Sequence, residues 1–308
     1  MVRLAIASFV FAFAAVVPAS AQALKNDFVH GRDYTFERME ATRAVDDAED
    51  TGTIRLVTSV YRPVKNDRRE VVLFSHGSTG GMSSSPKEVL DAPSRPLIRF
   101  FVSRGYTLVA PLRRGRGEST GTYVEECSVY IGQCTTADQV ALTERGVREA
   151  LLDTNAVIDQ LILGRLVPRE SKIVVAGHSR GGFLSLILAA ERPALAKAVI
   201  NFAGGWLAIT DNLSAVENQQ RTEAQTVRLA RAAKQARVPT IWIYAVRDPF
   251  YKESFPPELL RSWREAEGQA EFVHITEHSL PNAHVVQSDA TLWGRQMDVF
   301  MKLIESPR

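Results

Sequence analysis

The sequence predicts a single α/β domain in which helices cover both faces of a parallel β-sheet. Short apolar segments typical of buried strands alternate along the chain with segments that carry the periodicity of helices. The strand segments are apolar on both faces, which is typical of a parallel sheet enclosed by helices. The chain has 308 residues, of which 45% are hydrophobic and 23% charged, and this is enough for one such domain with a substantial core.

Residues 1–21 have the pattern of a cleaved secretory signal. A basic residue precedes the apolar run 4–17, and a proline and an Ala-Ser-Ala pattern follow it. A membrane-spanning helix needs about 20 apolar residues, and this run is shorter. We therefore expect cleavage at residue 21 or up to residue 23 and a mature domain over 24–308. The mature protein is expected to be secreted or periplasmic, without attachment to a membrane.

The charge of the chain narrows the class of partner. The formal net charge is +2, and lysines and arginines form no long run. Nucleic acid and acidic membrane surfaces are therefore not expected as partners. The expected partner is a small molecule, and the sequence predicts no particular oligomeric state.

The predicted strands are one outer segment and a series of buried ones. Residues 53–63 alternate between polar and apolar side chains and end at Pro63, which is typical of an outer strand. The others are short and apolar: 71–75, 107–111, 172–176, 197–201, 240–246 and 271–275. Residues 24–52 are of mixed polarity and carry no strand prediction.

Helical periodicity marks segments that lie between these strands or follow the last of them. The predicted helices are 94–105, 141–162, 181–192, 223–237, 257–268 and 288–306. The polar stretch 214–225 is interpreted as a helix or a small insertion. In an open parallel sheet, functional residues gather at the carboxyl ends of the strands, so the loops after the strands are where a site is expected.

The segment IVVAGHSRGG, residues 173–182, contains the clearest chemical signal. An apolar strand breaks into Gly-His-Ser-Arg-Gly-Gly and then continues as an apolar helix, so the chain must turn sharply with Ser179 at the apex. Glycines on either side make a strained apex sterically possible. The pattern G-x-S-x-G between a strand and a helix predicts a nucleophile elbow.

A nucleophilic serine requires a base, and the base requires a carboxylate that fixes its tautomer. The expected chain order is Ser, acid, His. Asp248 directly follows the strand 240–246 and is the predicted acid, a role compatible with turn formation before Pro249. Asp211 is the alternative, because it follows the preceding strand, although at a greater distance from the strand end.

His284 is the predicted base because it lies between the last strand and the final helix. His278, in the loop after that strand, is the main alternative, whereas His274 lies inside the strand. The prediction requires the His284 imidazole to lie within about 3.2 Å of Ser179 Oγ, or at a longer distance without substrate.

The negative charge that develops during acyl transfer needs hydrogen-bond donors. The backbone N–H of Arg180 is one predicted donor, at the start of a helix whose dipole adds to the effect. The second is expected in the HGSTGG loop after the strand 71–75, from the N–H of Ser78 or, if the loop is set differently, of Thr79.

The segments FSHGSTGG, LVAPLRRGRGES, GHSRGG, RDPF and NAHVV, in this order, resemble the α/β-hydrolase superfamily over nearly the whole mature chain. The chain is most similar to serine esterases related to dienelactone hydrolases and to prolyl-oligopeptidase catalytic domains. The resemblance implies a mostly parallel sheet of about eight strands, with a triad of Ser179, Asp248 and His284. The resemblance also implies that the substrate is a small-molecule ester. It implies that neither a metal nor an organic cofactor is needed. A peptidase, a thioesterase or acyltransferase, and a non-catalytic binding protein are the alternatives.

Two departures from the family pattern and a short lid region qualify this resemblance. Leu112 stands where these proteins usually carry an aspartate, so hydrogen bonds that stiffen the following loop are expected to be missing. Dienelactone hydrolases proper use a cysteine nucleophile, and the corresponding residue here is Ser179. Only one clear helix lies between the strands 197–201 and 240–246, so we expect little or no lid and an open site.

The arginines after the strand 107–111 and the two cysteines each allow two interpretations. Arg113, Arg114 and Arg116 either recognise an acidic substrate or belong to a solvated loop in which they cap helix carbonyls. Cys127 and Cys134 are predicted to form a disulfide in an oxidising compartment, with two free thiols as the alternative.

Overall fold

The computed structural model describes residues 28–78, 93–125 and 134–305. Its centre is an eight-stranded sheet with the order β1-β2-β4-β3-β5-β6-β7-β8. The strands are β1 Tyr34–Asp46, β2 Thr51–Pro63, β3 Glu70–Ser75, β4 Tyr106–Pro111, β5 Ile173–His178, β6 Ala196–Phe202, β7 Thr240–Ala245 and β8 Ala270–Ile275. The β1–β2 and β2–β4 pairs are antiparallel and all the others are parallel. The predicted mostly parallel sheet is confirmed.

All the predicted strands are present, with ends shifted by no more than about two residues, as such boundaries usually are. The prediction for residues 24–52 was incomplete, because Tyr34–Asp46 form β1. Among the strands of the described residues, this one lies at the sheet edge and pairs with β2 alone. Most of its side chains are exposed, and only Ala41 and Val45 are buried. An edge strand of this kind lacks the apolar alternation by which strands are recognised.

Six α-helices cover the sheet in the described part of the chain: α1 Arg95–Val102, α2 Thr136–Leu163, α3 Arg180–Glu191, α4 Ala215–Ala233, α5 Phe255–Glu265 and α6 Ala290–Glu305. A 3₁₀ helix, Ala283–Ser288, precedes α6. The polar stretch 214–225 is the first half of α4. Ser214 caps this helix, since its hydroxyl accepts the Glu217 N–H and the Glu217 carboxylate accepts the Ser214 N–H.

The helices pack in two groups. α1 contacts α6, while α3 contacts α2 and α4 and lies against β3, β5 and β6. The four tryptophans are all buried in the resulting core. Among the described residues, no helix is long and apolar enough to cross a membrane.

The loop after β4 is fixed by hydrogen bonds to β2. Leu112 N–H donates to the carbonyl of Val57 at 2.9 Å, and the Ser119 hydroxyl donates to the Leu112 carbonyl at 2.7 Å. Ser119 Oγ also accepts the N–H of Val57 at 2.8 Å. The expectation that Leu112 leaves this loop without stiffening bonds was therefore wrong, because Ser119 and the neighbouring strand supply them.

Candidate active site

Ser179 stands at a sharp turn between β5 and α3. Its backbone has φ 55° and ψ −124°, a conformation that costs free energy for a residue with a side chain. A Cβ on Gly177 would lie 2.2 Å from the Gly181 carbonyl oxygen, and a Cβ on Gly181 would lie 2.0 Å from the Ser75 carbonyl oxygen. Because only glycine allows this close approach, the strand and helix can meet here and hold Ser179 at the apex, as the sequence predicts.

Asp248 and His284 meet at the same edge of the sheet. The Nδ1 of His284 lies 2.8 Å from Asp248 Oδ2, and both side chains are buried. Asp248 Oδ1 accepts the N–H of Phe250 at 2.8 Å, so the aspartate also forms the turn after β7. Asn282 Oδ1 accepts the N–H of His284 at 3.0 Å and fixes the backbone that carries the imidazole.

The alternative acid and bases lie elsewhere. Asp211 is exposed and pairs with Lys252 at 2.9 Å. His278 Nε2 lies 2.9 Å from the carbonyl oxygen of Val246, and His274 stacks on the ring of Phe272. The geometry thus brings together Asp248 and His284, the pair chosen from the sequence, while their catalytic roles remain predictions.

The side chain of Ser179 is 7% exposed and has a neighbour that the sequence did not identify. Within the described residues, no hydrogen bond joins Ser179 Oγ to the His284 imidazole, and such bonds are often long without substrate. Ser179 interacts instead with the hydroxyl of Tyr251, whose ring lies 5.3 Å from that of His284. A Cβ on Gly205 would lie 2.6 Å from Tyr251 Cζ, so glycine at this position makes room for the tyrosine.

His178, the residue before the nucleophile, holds the histidine loop. Its Nε2 donates to the carbonyl oxygen of His284 at 2.8 Å. Burial, and then the nearby His284, lower the pKa of His178 to about 3, so its imidazole is neutral at physiological pH. This role could not be predicted from the sequence, because any residue is allowed at that position of G-x-S-x-G.

The loop after β3 lies directly beside the nucleophile. A Cβ on Gly77 would come within 3.1 Å of the Cβ of Ser179, so the backbone passes close to the serine. Ser78, the predicted donor, is exposed at this point. Its alternative, Thr79, lies outside the described residues.

His76 is buried under this loop and is neutral. Its Nδ1 donates to the Gly77 carbonyl oxygen at 2.7 Å, and its Nε2 accepts the backbone N–H of Arg113 at 3.2 Å. Burial, and then the positive charge of Arg113, hold the pKa of His76 well below its usual range.

The other predicted donor, the N–H of Arg180, lies at the amino end of α3. The side chain of Arg180 is buried and bonded to other parts of the protein: Nε donates to the carbonyl of Trp206 at 3.0 Å and Nη1 to the Tyr123 hydroxyl at 2.8 Å. Its guanidinium is therefore a structural group, and the backbone alone is the candidate donor.

The three arginines of the loop after β4 are buried, so their interpretation as a solvated loop was wrong. Arg113 pairs with Glu125, Arg114 pairs with Asp47 at 2.7 Å, and the guanidinium of Arg116 lies 3.4 Å from the ring centroid of Tyr123. Arg113 and Arg114 thus contact carboxylates of the protein itself, and this arrangement does not support recognition of an acidic substrate.

The predicted disulfide involves a residue that the structure does not describe. Cys134 precedes α2, while Cys127 lies outside the described residues. The Cys127–Cys134 pair stays a prediction, as does the signal at residues 1–21.

Comparison with known proteins identifies the class. Residues 71–296 match the model of the Alpha/beta hydrolase family. The match runs from β3 into the first half of α6 and covers most of the chain, so the chain belongs to this family. No curated protein sequence matches it.

Solved structures extend the comparison. The esterase Pf2001 of Pyrococcus furiosus is 15% identical with a TM-score of 0.56, covering 87% of this chain and 90% of the esterase. A dienelactone hydrolase-like phosphotriesterase, P91, from metagenomic libraries is 16% identical with a TM-score of 0.54, covering 88% and 98%. The acylaminoacyl peptidase of Pyrococcus horikoshii is 16% identical with a TM-score of 0.57, covering 89% of this chain but 42% of the peptidase. These similarities indicate a shared fold and confirm the resemblance noted from the sequence.

Proposed function

We propose that the protein is a serine hydrolase that cleaves carboxylic esters through an acyl-enzyme on Ser179. The observation that carries the proposal is the buried His284–Asp248 pair, 2.8 Å apart, at the edge where the strained elbow presents Ser179. A carboxylate on Nδ1 fixes the imidazole tautomer and leaves Nε2 as the nitrogen that accepts a proton. A serine, a base and an orienting acid in this arrangement are the groups that acyl transfer requires.

The first half of the reaction forms the acyl-enzyme. Ser179 Oγ bonds to the ester carbonyl carbon while its proton passes to His284 Nε2, and Asp248 stabilises the imidazolium. The backbone N–H groups of Ser78 and Arg180 donate to the oxyanion. When the carbon–oxygen bond to the alcohol breaks, His284 returns its proton to the leaving oxygen.

The second half releases the acid. Water attacks the acyl carbon and gives a proton to His284 Nε2. The bond between the acyl carbon and Ser179 Oγ then breaks, and the proton returns to Oγ. The cycle restores the free serine without any other reactant.

Coverage of the solved structures favours an ester over a peptide as substrate. The chain covers 90% of the P. furiosus esterase and 42% of the P. horikoshii peptidase, so a large part of that peptidase has no counterpart in the match. The signal-like residues 1–21 favour export, so we propose a secreted or periplasmic enzyme acting on small-molecule esters. Peptides and thioesters are the alternative substrates, since their cleavage would use the same residues.

The proposal is tested with purified mature protein and the p-nitrophenyl esters of acetate, butyrate and octanoate. Turnover and labelling by a fluorophosphonate are measured for the wild type and for Ser179→Ala, with Ser262→Ala on α5 as the control. We expect labelling and turnover in the wild type and the control, and neither in folded Ser179→Ala. A folded wild type that is neither labelled nor active would favour the non-catalytic alternative.

A further inference from the structure

A buried ion pair lies directly beneath the loop that carries Ser78. Arg113 and Glu125 are 2% and 4% exposed in their side chains. Arg113 Nε donates to Glu125 Oε1, and Arg113 Nη2 donates to Glu125 Oε2 at 3.1 Å. This two-point contact fixes the plane of the guanidinium.

The remaining donors of Arg113 hold the backbone of the loop after β3. Nη1 donates to the carbonyl oxygen of His76 at 2.9 Å, and Nη2 donates to that of Gly77 at 3.3 Å. The Gly77 carbonyl also accepts a hydrogen bond from His76 Nδ1 at 2.7 Å, and His76 Nε2 in turn accepts one from the backbone N–H of Arg113. Two consecutive carbonyls are therefore turned towards the buried ion pair.

This arrangement determines where the N–H of Ser78 points. The described residues contain no cis peptide, and in a trans peptide the carbonyl and the N–H point in opposite directions. Since the Gly77 carbonyl faces the buried side, the N–H of Ser78 faces the opposite, exposed side. The same backbone passes close to Ser179, since a Cβ on Gly77 would lie 3.1 Å from the Cβ of Ser179. The opposite orientation would aim a carbonyl oxygen at the site where the oxyanion forms.

Glu125 links this side of the site to the elbow. Its Oε2 lies 3.9 Å from Nη1 of Arg180, whose backbone N–H is the other predicted donor, and it accepts the Tyr123 hydroxyl at 3.4 Å. Burial alone would raise the pKa of Glu125, but the charge and hydrogen bonds of Arg113, and then the charge of Arg180, hold it below its usual value. One ionised carboxylate thus anchors the residues behind both donors.

We propose that Arg113, oriented by Glu125, is a positioning residue that holds the Gly77–Ser78 peptide with its N–H directed at the developing oxyanion. The inference rests on the proposed function and deepens it. A buried ion pair is seldom more stabilising than a well-packed apolar pair of the same volume. An apolar pair, however, could not donate hydrogen bonds to the two carbonyls. Orientation of the loop backbone, and not stability alone, therefore explains why an ion pair is buried here.

The test compares two adjacent, equally buried arginines. Arg113→Lys keeps the charge but cannot donate to Glu125 and both carbonyls together, because an ammonium lacks the planar fork. Arg114→Lys is the control, since Arg114 pairs with Asp47 and contacts neither carbonyl. For p-nitrophenyl acetate we expect Arg113→Lys to lower kcat about 10- to 100-fold, less than complete loss of a donor, with KM changed by less than about threefold. Arg114→Lys is expected to keep kcat within about threefold.

A transition-state analogue separates positioning from general loss of stability. A trifluoromethyl ketone binds by forming an oxyanion on Ser179, so its affinity should fall with kcat/KM in Arg113→Lys. Competitive inhibition by the carboxylic acid product should not change. Glu125→Gln is the second variant, should Arg113→Lys not fold, and the same pattern is expected for it.

Two results would overturn the inference. One is an Arg113→Lys or Glu125→Gln enzyme with unchanged kcat and analogue affinity. The other is an equal fall of kcat in Arg114→Lys. A folded wild type without Ser179-dependent turnover would contradict the proposed function itself, so the two failures are distinguishable.

Discussion

The two sides of Ser179 are held in place by different kinds of contact. On one side, His284 is held by Asp248 and by the neutral imidazole of His178, which donates to its carbonyl. On the other side, the Gly77–Ser78 peptide is held by the buried ion pair of Arg113 and Glu125. In the proposed reaction, the first side supplies the histidine that exchanges a proton with the substrate, whereas the second supplies fixed donors and the charges behind them.

Because their contacts differ, substitutions on the two sides should lower activity by different amounts. Removing a proton-transfer group abolishes a step of the reaction, while loosening a fixed dipole only reduces its stabilisation of the transition state. Substitutions on the His284 side should therefore cost more activity than Arg113→Lys on the Ser78 side, and the two sides should respond to pH in different ranges.

The largest effect is expected for His284→Gln. The amide cannot accept the proton of Ser179 Oγ, so kcat for p-nitrophenyl acetate should fall by about 10⁴-fold or more. His274→Gln is the matched control because this histidine stacks on Phe272 at a distance from the pair. Steady-state assays of both variants check the prediction, and a His274→Gln loss as large as that of His284→Gln would contradict it.

Asp248→Asn is expected to have the next largest effect. The amide cannot stabilise the imidazolium and favours the wrong tautomer of His284, so kcat should fall by about 10²- to 10⁴-fold. Asp211→Asn is the control, since Asp211 is exposed and pairs with Lys252. Should kinetic assays show that Asp211→Asn is the more damaging change, the acid has been assigned to the wrong strand end.

The smallest expected effects concern stability, and they separate the two sides by pH. The pKa of His178 is lowered from 6.5 to about 3, so the folded protein favours the neutral imidazole. The contribution of neutral His178 to the free energy of unfolding is complete above pH 6.5. It is lost as the pH falls from 6.5 towards 3, because over this range the unfolded chain binds a proton that the folded protein does not. The free energy of unfolding should fall by at most about 1.4 kcal/mol per pH unit from this one group. Glu125, whose pKa lies below its usual 4.5, keeps its contribution until the pH falls below that value.

Urea denaturation at a series of pH values checks this separation. Relative to the wild type, His178→Asn should reduce the slope of the free energy of unfolding against pH between pH 6 and pH 5. Glu125→Gln should leave this slope unchanged. If Glu125→Gln alters this slope, the carboxyl of Glu125 titrates between pH 5 and pH 6 in the wild-type protein. The two sides would then not be separated by their titration.

Much of the His284 side could be predicted from the sequence. Ser179 and Asp248 come directly after apolar strands, and His284 lies between the last strand and the final helix. Because parallel strands bring their carboxyl ends to one edge, local patterns were enough to predict that these residues meet. The fold was accessible for the same reason, except for β1, whose exposed edge position removes the apolar alternation.

The Ser78 side was largely hidden from sequence reasoning. Arg113 and Glu125 belong to a loop with no periodicity, and their pairing depends on how that loop folds over His76. Charged residues in loops are usually solvated, so their burial contradicts the ordinary expectation for such a segment. Tyr251 was missed in the same way, because its hydroxyl reaches Ser179 only through packing against Gly205.

Detection of the acyl-enzyme on Ser179 tests the proposed mechanism at its first covalent step. The wild type is mixed with p-nitrophenyl acetate, quenched in acid during the first turnover, and analysed by intact mass and peptide mapping. We expect one acetyl group on the peptide that contains Ser179, formed together with a burst of p-nitrophenol and absent from Ser179→Ala. Turnover of the ester by the wild type with Ser179 unmodified, or an acetyl group on another residue, would contradict it.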